Sequence, residues 1–234
     1  MSDGEDLRRT PRGEPIFMMP PVVTLLIGAM IAVVVIRLFL SPAADQDLVY
    51  TFGFVPDRWA SDGGGTDYPG GVGALAWTLL TYAFLHEGWA HVLINAAMFA
   101  ALARPVLDRT GTARFLAFLA AATIGGALGH LAVAWGSDAP MIGASGTVSG
   151  LLGALVRFVF RPAWAPTAGI VESLREPRVR GVIAALVLMN VALVFFGTGL
   201  VGGEGGSVAW GAHLGGFLVG FLAFSPFEAP RRRF

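Results

Sequence analysis

The chain has no cysteine and no lysine among its 234 residues. Without cysteine it cannot be a disulfide-linked scaffold, an iron–sulfur protein or a thiol enzyme. Charged residues make up only 14% of the sequence and hydrophobic residues 55%, whereas soluble domains carry roughly a quarter charged residues. This shortage of charge excludes a disordered chain, a nucleic-acid-binding protein and a water-solvated enzyme, and it predicts a protein of the lipid bilayer.

Long apolar runs predict membrane-spanning helices, because a helix that crosses the hydrocarbon core needs about 20 apolar residues. The first run, residues 21–40, lies behind a polar head and is too long for a signal peptide, which favours an uncleaved helix. Six spans are predicted in all, at about residues 21–40, 86–107, 115–135, 145–160, 182–200 and 210–227. The sequence therefore predicts an all-α polytopic membrane protein.

The arginines predict how these spans are oriented, since cytoplasmic loops carry an excess of positive charge. Arginines crowd into the N-terminal tail (1–20), the connections after the second and fourth spans, and the C-terminal tail (229–234). The other three connections hold Arg58 alone. Both tails are therefore expected in the cytoplasm, flanking a membrane domain of residues 21–228. Its first outer loop, about residues 41–85, is expected to be amphipathic and to lie on the membrane.

Polar side chains inside a span are costly, so each one is a functional-site hypothesis unless a structural partner explains it. At a rise of 1.5 Å per residue, Ser145, His213 and Asn95 lie at one level, roughly 21–24 Å above the inner ends of their spans. In a hydrocarbon core about 30 Å thick, that level is several ångströms below the outer surface. The common depth predicts a hydrated pocket that opens outward.

Ser145 stands where a loop enters a helix, within the sequence GASG at 143–146. There its hydroxyl lies beside unpaired backbone N–H groups, which favours an oxyanion. His213 is the histidine best placed to accept the serine proton, and the lack of a carboxylate in either span favours a Ser–His dyad over a triad. His91 and Asn95 share one helix face and are predicted to donate hydrogen bonds to the oxyanion, with helix–helix hydrogen bonding as the alternative role.

Glycines on the fourth and sixth spans predict that these two helices approach closely, since small residues let helix backbones come together in membranes. They are Gly146 and Gly150 on the fourth span, and Gly216 and Gly220 on the sixth.

The other polar residues near the spans are assigned structural roles. His86 is interpreted as a loop or cavity-rim residue, and His130, Thr147 and Asn190 as structural contacts. The segment HEGWAH at 86–91 resembles the zinc motif HExxH, but its histidines are five positions apart instead of four and so lie on different helix faces. No metal and no cofactor are predicted.

Three motifs together resemble those of the rhomboid intramembrane serine proteases. They are HVLIN at 91–95, GASG at 143–146 and AHLGGFLVG at 212–220, in the family's order, within a match over about residues 75–224. Two positions depart from the family pattern. Ser149 stands where rhomboids usually carry an aromatic residue packed on the histidine, and Trp77-Thr78 where they often carry Trp-Arg.

The resemblance implies a six-transmembrane-helix rhomboid-like bundle. It implies that Ser145 is the nucleophile, that His213 is the general base and acid, and that His91, Asn95 and the Ser145 backbone N–H hold the oxyanion. It also implies that the substrates are single-pass membrane proteins, cut near the outer end of a transmembrane helix.

The sequence therefore predicts an intramembrane serine endopeptidase. A prokaryotic plasma (inner) membrane is expected, since the N-terminus lacks the composition of an organelle transit peptide. The alternative is a non-catalytic rhomboid-like protein that binds transmembrane helices. The intact dyad argues against this alternative. A solute transporter is disfavoured because the spans show no repeated pair of broken helices. The oligomeric state stays open.

Overall fold

A computed structural model describes residues 19–60, 68–162, 164–200 and 209–230. Within these ranges the chain forms helices and no strand, apart from one antiparallel bridge between Phe54 and Met141. The helices are α1 (Pro21–Arg37), α2 (Pro42–Phe52), α3 (Asp57–Ala60), α4 (Ala74–Thr81), α5 (Trp89–Thr110), α6 (Thr112–Val133), α7 (Ser145–Leu155), α8 (Ile170–Arg175), α9 (Pro177–Leu200) and α10 (Trp210–Ala223). Short 3₁₀ turns occupy Gly71–Gly73, Tyr82–Phe84 and Ser225–Phe227.

Each predicted span overlaps one helix, namely α1, α5, α6, α7, α9 or α10. Among the described residues, α5 and α6 are the helices long and apolar enough to cross a membrane by length and composition. Helices α1, α7 and α10 are apolar but shorter. The all-helical architecture agrees with the prediction, while the count of six crossings stays a prediction.

Helix α7 ends at Leu155, earlier than the predicted end at residue 160. Just beyond it, Arg157 is buried and its guanidinium donates hydrogen bonds to the carbonyl oxygens of Ala168 and Phe221, the latter at 3.0 Å. The arginine guanidinium carries only hydrogen-bond donors, and burying it without acceptors for them is costly. The chain after α7 therefore turns so that these carbonyls surround the guanidinium.

The centre of the bundle is a contact between the backbones of α7 and α10. A Cβ atom built on Gly216 would overlap the carbonyl oxygen of Gly146, and one built on Gly220 would overlap that of Gly150. Helix α6 packs on the other side of α10 in the same way, where Gly215 faces the carbonyl oxygen of Gly125. The glycines named from the sequence thus lie where α7 and α10 touch.

The described residues between α1 and α5 pack together in a layer, named the outer layer after its predicted position. The Trp77 indole N–H donates to the carbonyl oxygen of Thr51 at 2.8 Å, and the Thr81 hydroxyl to that of Phe52 at 2.6 Å. Arg58 is buried and donates to the carbonyl oxygens of Tyr50 and Pro69. The first two bonds hold α4 against the end of α2, on either side of Thr78, where the rhomboid pattern often has an arginine.

An ion pair joins the end of α1 to this outer layer. Arg37 Nε lies 2.6 Å from Asp45 Oδ1, and Arg37 Nη1 lies 2.5 Å from the carbonyl oxygen of His86. The hydrogen bond from Arg37 lowers the pKa of Asp45. The ion pair therefore holds the end of α1 against α2, and the bond to His86 holds it beside the start of α5.

A second polar cluster ties together the opposite end of the bundle. Arg109, at the end of α5, lies 3.2 Å from Glu228 Oε1 and donates to the carbonyl oxygen of Ala165. Thr167 donates to the same carboxylate at 2.6 Å. The ends of α5 and α10 therefore share one side, as the predicted alternation requires. The predicted arginine-rich tails, 1–20 and 229–234, fall largely outside the described residues.

The close contact of α7 and α10 generates a prediction about stability. Gly216→Ala places a methyl group against the carbonyl oxygen of Gly146, so the helices must move apart, at a cost of about 1–3 kcal/mol. We expect the variant to unfold at a lower temperature than the wild type in detergent, as followed by circular dichroism.

Gly28→Ala is the matched control, because a Cβ at Gly28 in α1 has nothing within 4 Å. It should leave the unfolding temperature unchanged or raise it, since alanine favours a helix over glycine. Equal unfolding temperatures for Gly216→Ala and Gly28→Ala would contradict the prediction.

Candidate active site

Ser145 is the first residue of α7 and lies half-buried at the end of the loop 136–144. Met141 in that loop pairs with Phe54 through two backbone hydrogen bonds of 2.8 and 3.0 Å. The Gly143 N–H donates to the carbonyl oxygen of Tyr82 at 3.0 Å. Gly143 has φ +118°, a conformation that favours glycine. The outer layer therefore fixes the path by which the chain reaches Ser145.

His86 holds the residue before the serine. Its side chain is 1% exposed, and its Nε2 accepts the Ala144 N–H at 3.3 Å. Its Nδ1 lies 3.3 Å from the carbonyl oxygen of Phe84. A nitrogen that accepts an N–H carries no proton, so Nδ1 is the nitrogen that donates. His86 lies in the loop before α5, in agreement with the predicted loop or cavity-rim position, and its buried side chain binds the Ala144 N–H.

The structure brings Ser145 and His213 into direct contact. His213 Nε2 lies 2.8 Å from Ser145 Oγ, although the two residues are 68 positions apart in the sequence. His213 lies in the first turn of α10 and is 6% exposed. The glycine contact between α7 and α10 brings their first turns together, which places the hydroxyl within reach of the imidazole.

A third polar group contacts the imidazole. His213 Nδ1 lies 2.8 Å from Oδ1 of Asn190, a residue of α9. The sequence predicts only a structural role for Asn190. Depth gives no signal for it, because Asn190 lies 8 residues into the predicted span 182–200 and hence roughly 12 Å above its inner end, short of the level of Ser145, His213 and Asn95. The helix itself begins earlier, at Pro177.

N–H groups from two helices lie near the start of α7, namely those of its own first turn and that of His91 in α5. The backbone N–H groups in the first turn of α7 have no partner within the helix. The His91 imidazole lies against Gly143, since a Cβ atom built there would be 2.7 Å from His91 Nε2. Its Nδ1 faces the Glu87 N–H at 3.5 Å, which leaves Nε2 as the nitrogen that carries hydrogen.

Asn95 lies one turn further along α5 and is 5% exposed. Its Nδ2 donates to the carbonyl oxygen of His91 at 3.0 Å. An amide nitrogen carries two hydrogens, so the second remains for another acceptor. Helix α5 packs against α7, and the position of Asn95 is therefore compatible with both roles that the sequence left open, the oxyanion donor and the helix contact.

Other residues noted in the sequence lie away from this contact. Thr147 pairs with Thr123 of α6 at 2.6 Å, and Ser149 is buried on α7. His130 is buried on α6, and its Nδ1 has no hydrogen-bond partner among the described residues. In the part of the chain that the structure describes, no three His, Cys, Asp or Glu side chains gather closely enough to hold a metal ion.

This arrangement can perform nucleophilic acyl transfer. An imidazole nitrogen is positioned to accept a proton from a serine hydroxyl, and that serine begins the helix turn whose backbone N–H groups have no partner within the helix. A serine and a histidine in hydrogen-bonding distance, with donors for the oxyanion, are the groups that peptide hydrolysis requires.

Comparison with known proteins gives two findings. The rhomboid domain matches residues 74–227, about two thirds of the chain. The sequence is also 27% identical over 155 residues to the rhomboid protease GluP of Bacillus subtilis (strain 168). That alignment covers 66% of this chain and 27% of the relative, so the chain matches about a quarter of the relative's length. The matched region contains Ser145, His213 and the helices that carry them, and the chain belongs to the rhomboid family.

Proposed function

We propose that this protein is an intramembrane serine endopeptidase that uses a Ser145–His213 dyad to hydrolyse peptide bonds in or near transmembrane segments of single-pass membrane proteins. The observation that carries the proposal is the 2.8 Å contact between Ser145 Oγ and His213 Nε2. Membership of the rhomboid family and the similarity to a rhomboid protease support it. No metal or cofactor takes part in the proposed mechanism.

In the first half of the reaction, Ser145 Oγ attacks the carbonyl carbon of the scissile bond while His213 Nε2 takes the hydroxyl proton. The carbonyl oxygen of the substrate becomes an oxyanion. The Ser145 N–H and the side chains of His91 and Asn95 are the proposed donors to it. The tetrahedral intermediate then collapses, the C–N bond breaks, and His213 returns the proton to the leaving amine.

In the second half, a water molecule loses a proton to His213 Nε2 and attacks the acyl-enzyme carbonyl. The C–O bond to Ser145 breaks, and His213 returns the proton to the serine oxygen. Water has to reach Ser145 for this step. Ser145 is half-buried, and the loop that leads to it is bonded to the outer layer through Phe54 and Tyr82, which supports access from the outer side.

The chain is proposed to span the plasma membrane with both termini in the cytoplasm. The excess of arginine in the connections after the second and fourth predicted spans supports this orientation. The end with Arg109 and Arg157 is the predicted inner side, and the end with Arg37 and Arg58 joins the outer layer. Substrates are proposed to be single-pass membrane proteins, because the proposed site lies within the bundle at the level of a helix end and not on a water-exposed surface.

The first prediction from the proposed function concerns the activation of Ser145. The purified wild type in mild detergent should form a covalent adduct with a fluorophosphonate at Ser145, located by peptide mass spectrometry, because His213 removes the hydroxyl proton. Ser145→Ala and His213→Ala should form none and should not cleave a reconstituted single-pass substrate.

Ser149→Ala is the matched control, since Ser149 is buried one turn further along α7. It should react as the wild type does. Full cleavage by purified Ser145→Ala would refute the mechanism. The absence of an adduct in folded wild-type protein would favour the non-catalytic alternative, a rhomboid-like protein that binds transmembrane helices.

The second prediction concerns the oxyanion. Asn95→Ala removes a proposed donor and should lower kcat for a reconstituted single-pass substrate by about 10²–10³-fold, the usual loss for a well-placed donor. Thr110→Val is the matched control, because it removes a hydrogen bond to the backbone four residues earlier at the opposite end of α5. A kcat for Asn95→Ala equal to that of Thr110→Val would leave Asn95 with only the helix-contact role.

The third prediction concerns topology, and the lack of cysteine makes it simple to test. Asp138→Cys lies in the connection predicted outside and Arg175→Cys in the connection predicted inside, and both residues are exposed. A membrane-impermeant maleimide added to intact spheroplasts should label Asp138→Cys, and should label Arg175→Cys only after lysis. The reverse pattern would overturn the proposed orientation.

A further inference from the structure

The backbone around Asn190 determines which atom of its side-chain amide faces His213. Asn190 Nδ2 donates to the carbonyl oxygen of Leu186 at 2.7 Å, one turn earlier in α9. A carbonyl oxygen only accepts, so the nitrogen of the amide must face Leu186 and the oxygen must face away from it. Oδ1 is therefore the atom that meets His213 Nδ1 at 2.8 Å.

The orientation of the amide fixes the tautomer of His213. Because Oδ1 only accepts a hydrogen bond, His213 Nδ1 must carry the hydrogen that it donates. In the neutral ring, Nε2 is then the acceptor, and Nε2 is the atom 2.8 Å from Ser145 Oγ. This is the tautomer that a general base for Ser145 needs. With the proton on Nε2 instead, the ring could not take the proton of the serine.

The same contact restrains the direction of the ring. One nitrogen of His213 is bound to α9 and the other to α7, so rotation about the side chain would break both hydrogen bonds. Ser149, one turn after Ser145, has no ring to pack against the imidazole. An amide performs this task without adding a charge, whereas a carboxylate inside a span is costly.

We propose that Asn190 is a positioning residue that holds His213 in the tautomer and direction in which its Nε2 accepts the proton of Ser145. The proposal rests on the proposed function and adds to it a group on a third helix. Asn190 does not touch the reacting atoms and acts through His213. Loss of its oxygen should therefore change the turnover of bound substrate and leave substrate binding unchanged.

The test compares three variants of α9 by steady-state kinetics on a reconstituted single-pass substrate. Asn190→Leu keeps the approximate size of the side chain and removes the acceptor, and it should lower kcat about 10-fold at an unchanged KM, as loss of one net hydrogen bond predicts. Asn190→Asp keeps an oxygen at the same position and should restore kcat to within about threefold of the wild type. Leu186→Ala removes a buried neighbour but keeps the amide, and should lower the unfolding temperature without this loss of kcat.

The second readout does not depend on activity. With ¹⁵N-labelled histidine, the His213 signals are identified by their absence from His213→Ala. They should show the Nδ1-protonated tautomer in the wild type and Asn190→Asp, and a mixture of tautomers in Asn190→Leu. Unchanged His213 signals in Asn190→Leu would overturn the proposal, and so would an unchanged kcat. If the wild type cleaves nothing, the proposed function fails, while the tautomer measurement still decides the role of Asn190.

Discussion

Gly146 and Gly150 present their carbonyl oxygens to Gly216 and Gly220 so closely that neither facing glycine has room for a methyl group. In lipid, helices gain little from hiding apolar side chains from one another, and they associate where their backbones pack closely. Here that packing joins the helix that begins with Ser145 to the helix that carries His213. The separation between a serine oxygen and an imidazole nitrogen thus follows from the separation between two helix axes.

The approach to Ser145 is controlled by polar groups from earlier in the chain. His86 binds the Ala144 N–H, Tyr82 accepts from Gly143, and Phe54 pairs with Met141. Arg37 in turn binds the backbone of His86. Each bond satisfies a backbone group that would otherwise be unpaired in an apolar setting, where an unpaired group costs several kcal/mol. The hydrogen bonds that pair the backbone of this loop are therefore the same ones that place Ser145 at the start of α7.

Much of this arrangement could be predicted from the sequence. Apolar runs located the helices, and equal depth along three spans singled out Ser145, His213 and Asn95. Depth along a span gives a height but no rotation about the helix axis, so it could not show which polar groups face one another. The early end of α7 also escaped prediction, because it depends on carbonyl oxygens distant in sequence that surround Arg157.

Asn190 and His86 are two further cases in which the sequence could not show the contacts of a polar side chain. Each makes one side-chain hydrogen bond to a residue far away in the sequence, Asn190 to His213 and His86 to Ala144. No motif surrounds Asn190, and the segment HEGWAH at His86 resembles only a zinc motif with the wrong spacing. The sequence predicts a structural contact for Asn190 because no motif surrounds it, and its amide nitrogen does bond to its own helix at Leu186. Its oxygen, however, faces a histidine on another helix.

The group of Ser145, His213 and Asn190 carries no net charge when Nδ1 of the histidine bears its single ring proton. A transmembrane potential acts on charge, with about 2.3 kcal/mol for each elementary charge moved through 100 mV. A neutral assembly is therefore neither drawn together nor pulled apart by the electric field of the membrane. Its hydrogen bonds should keep the same relative energies in an energised cell, in a depolarised vesicle and in detergent.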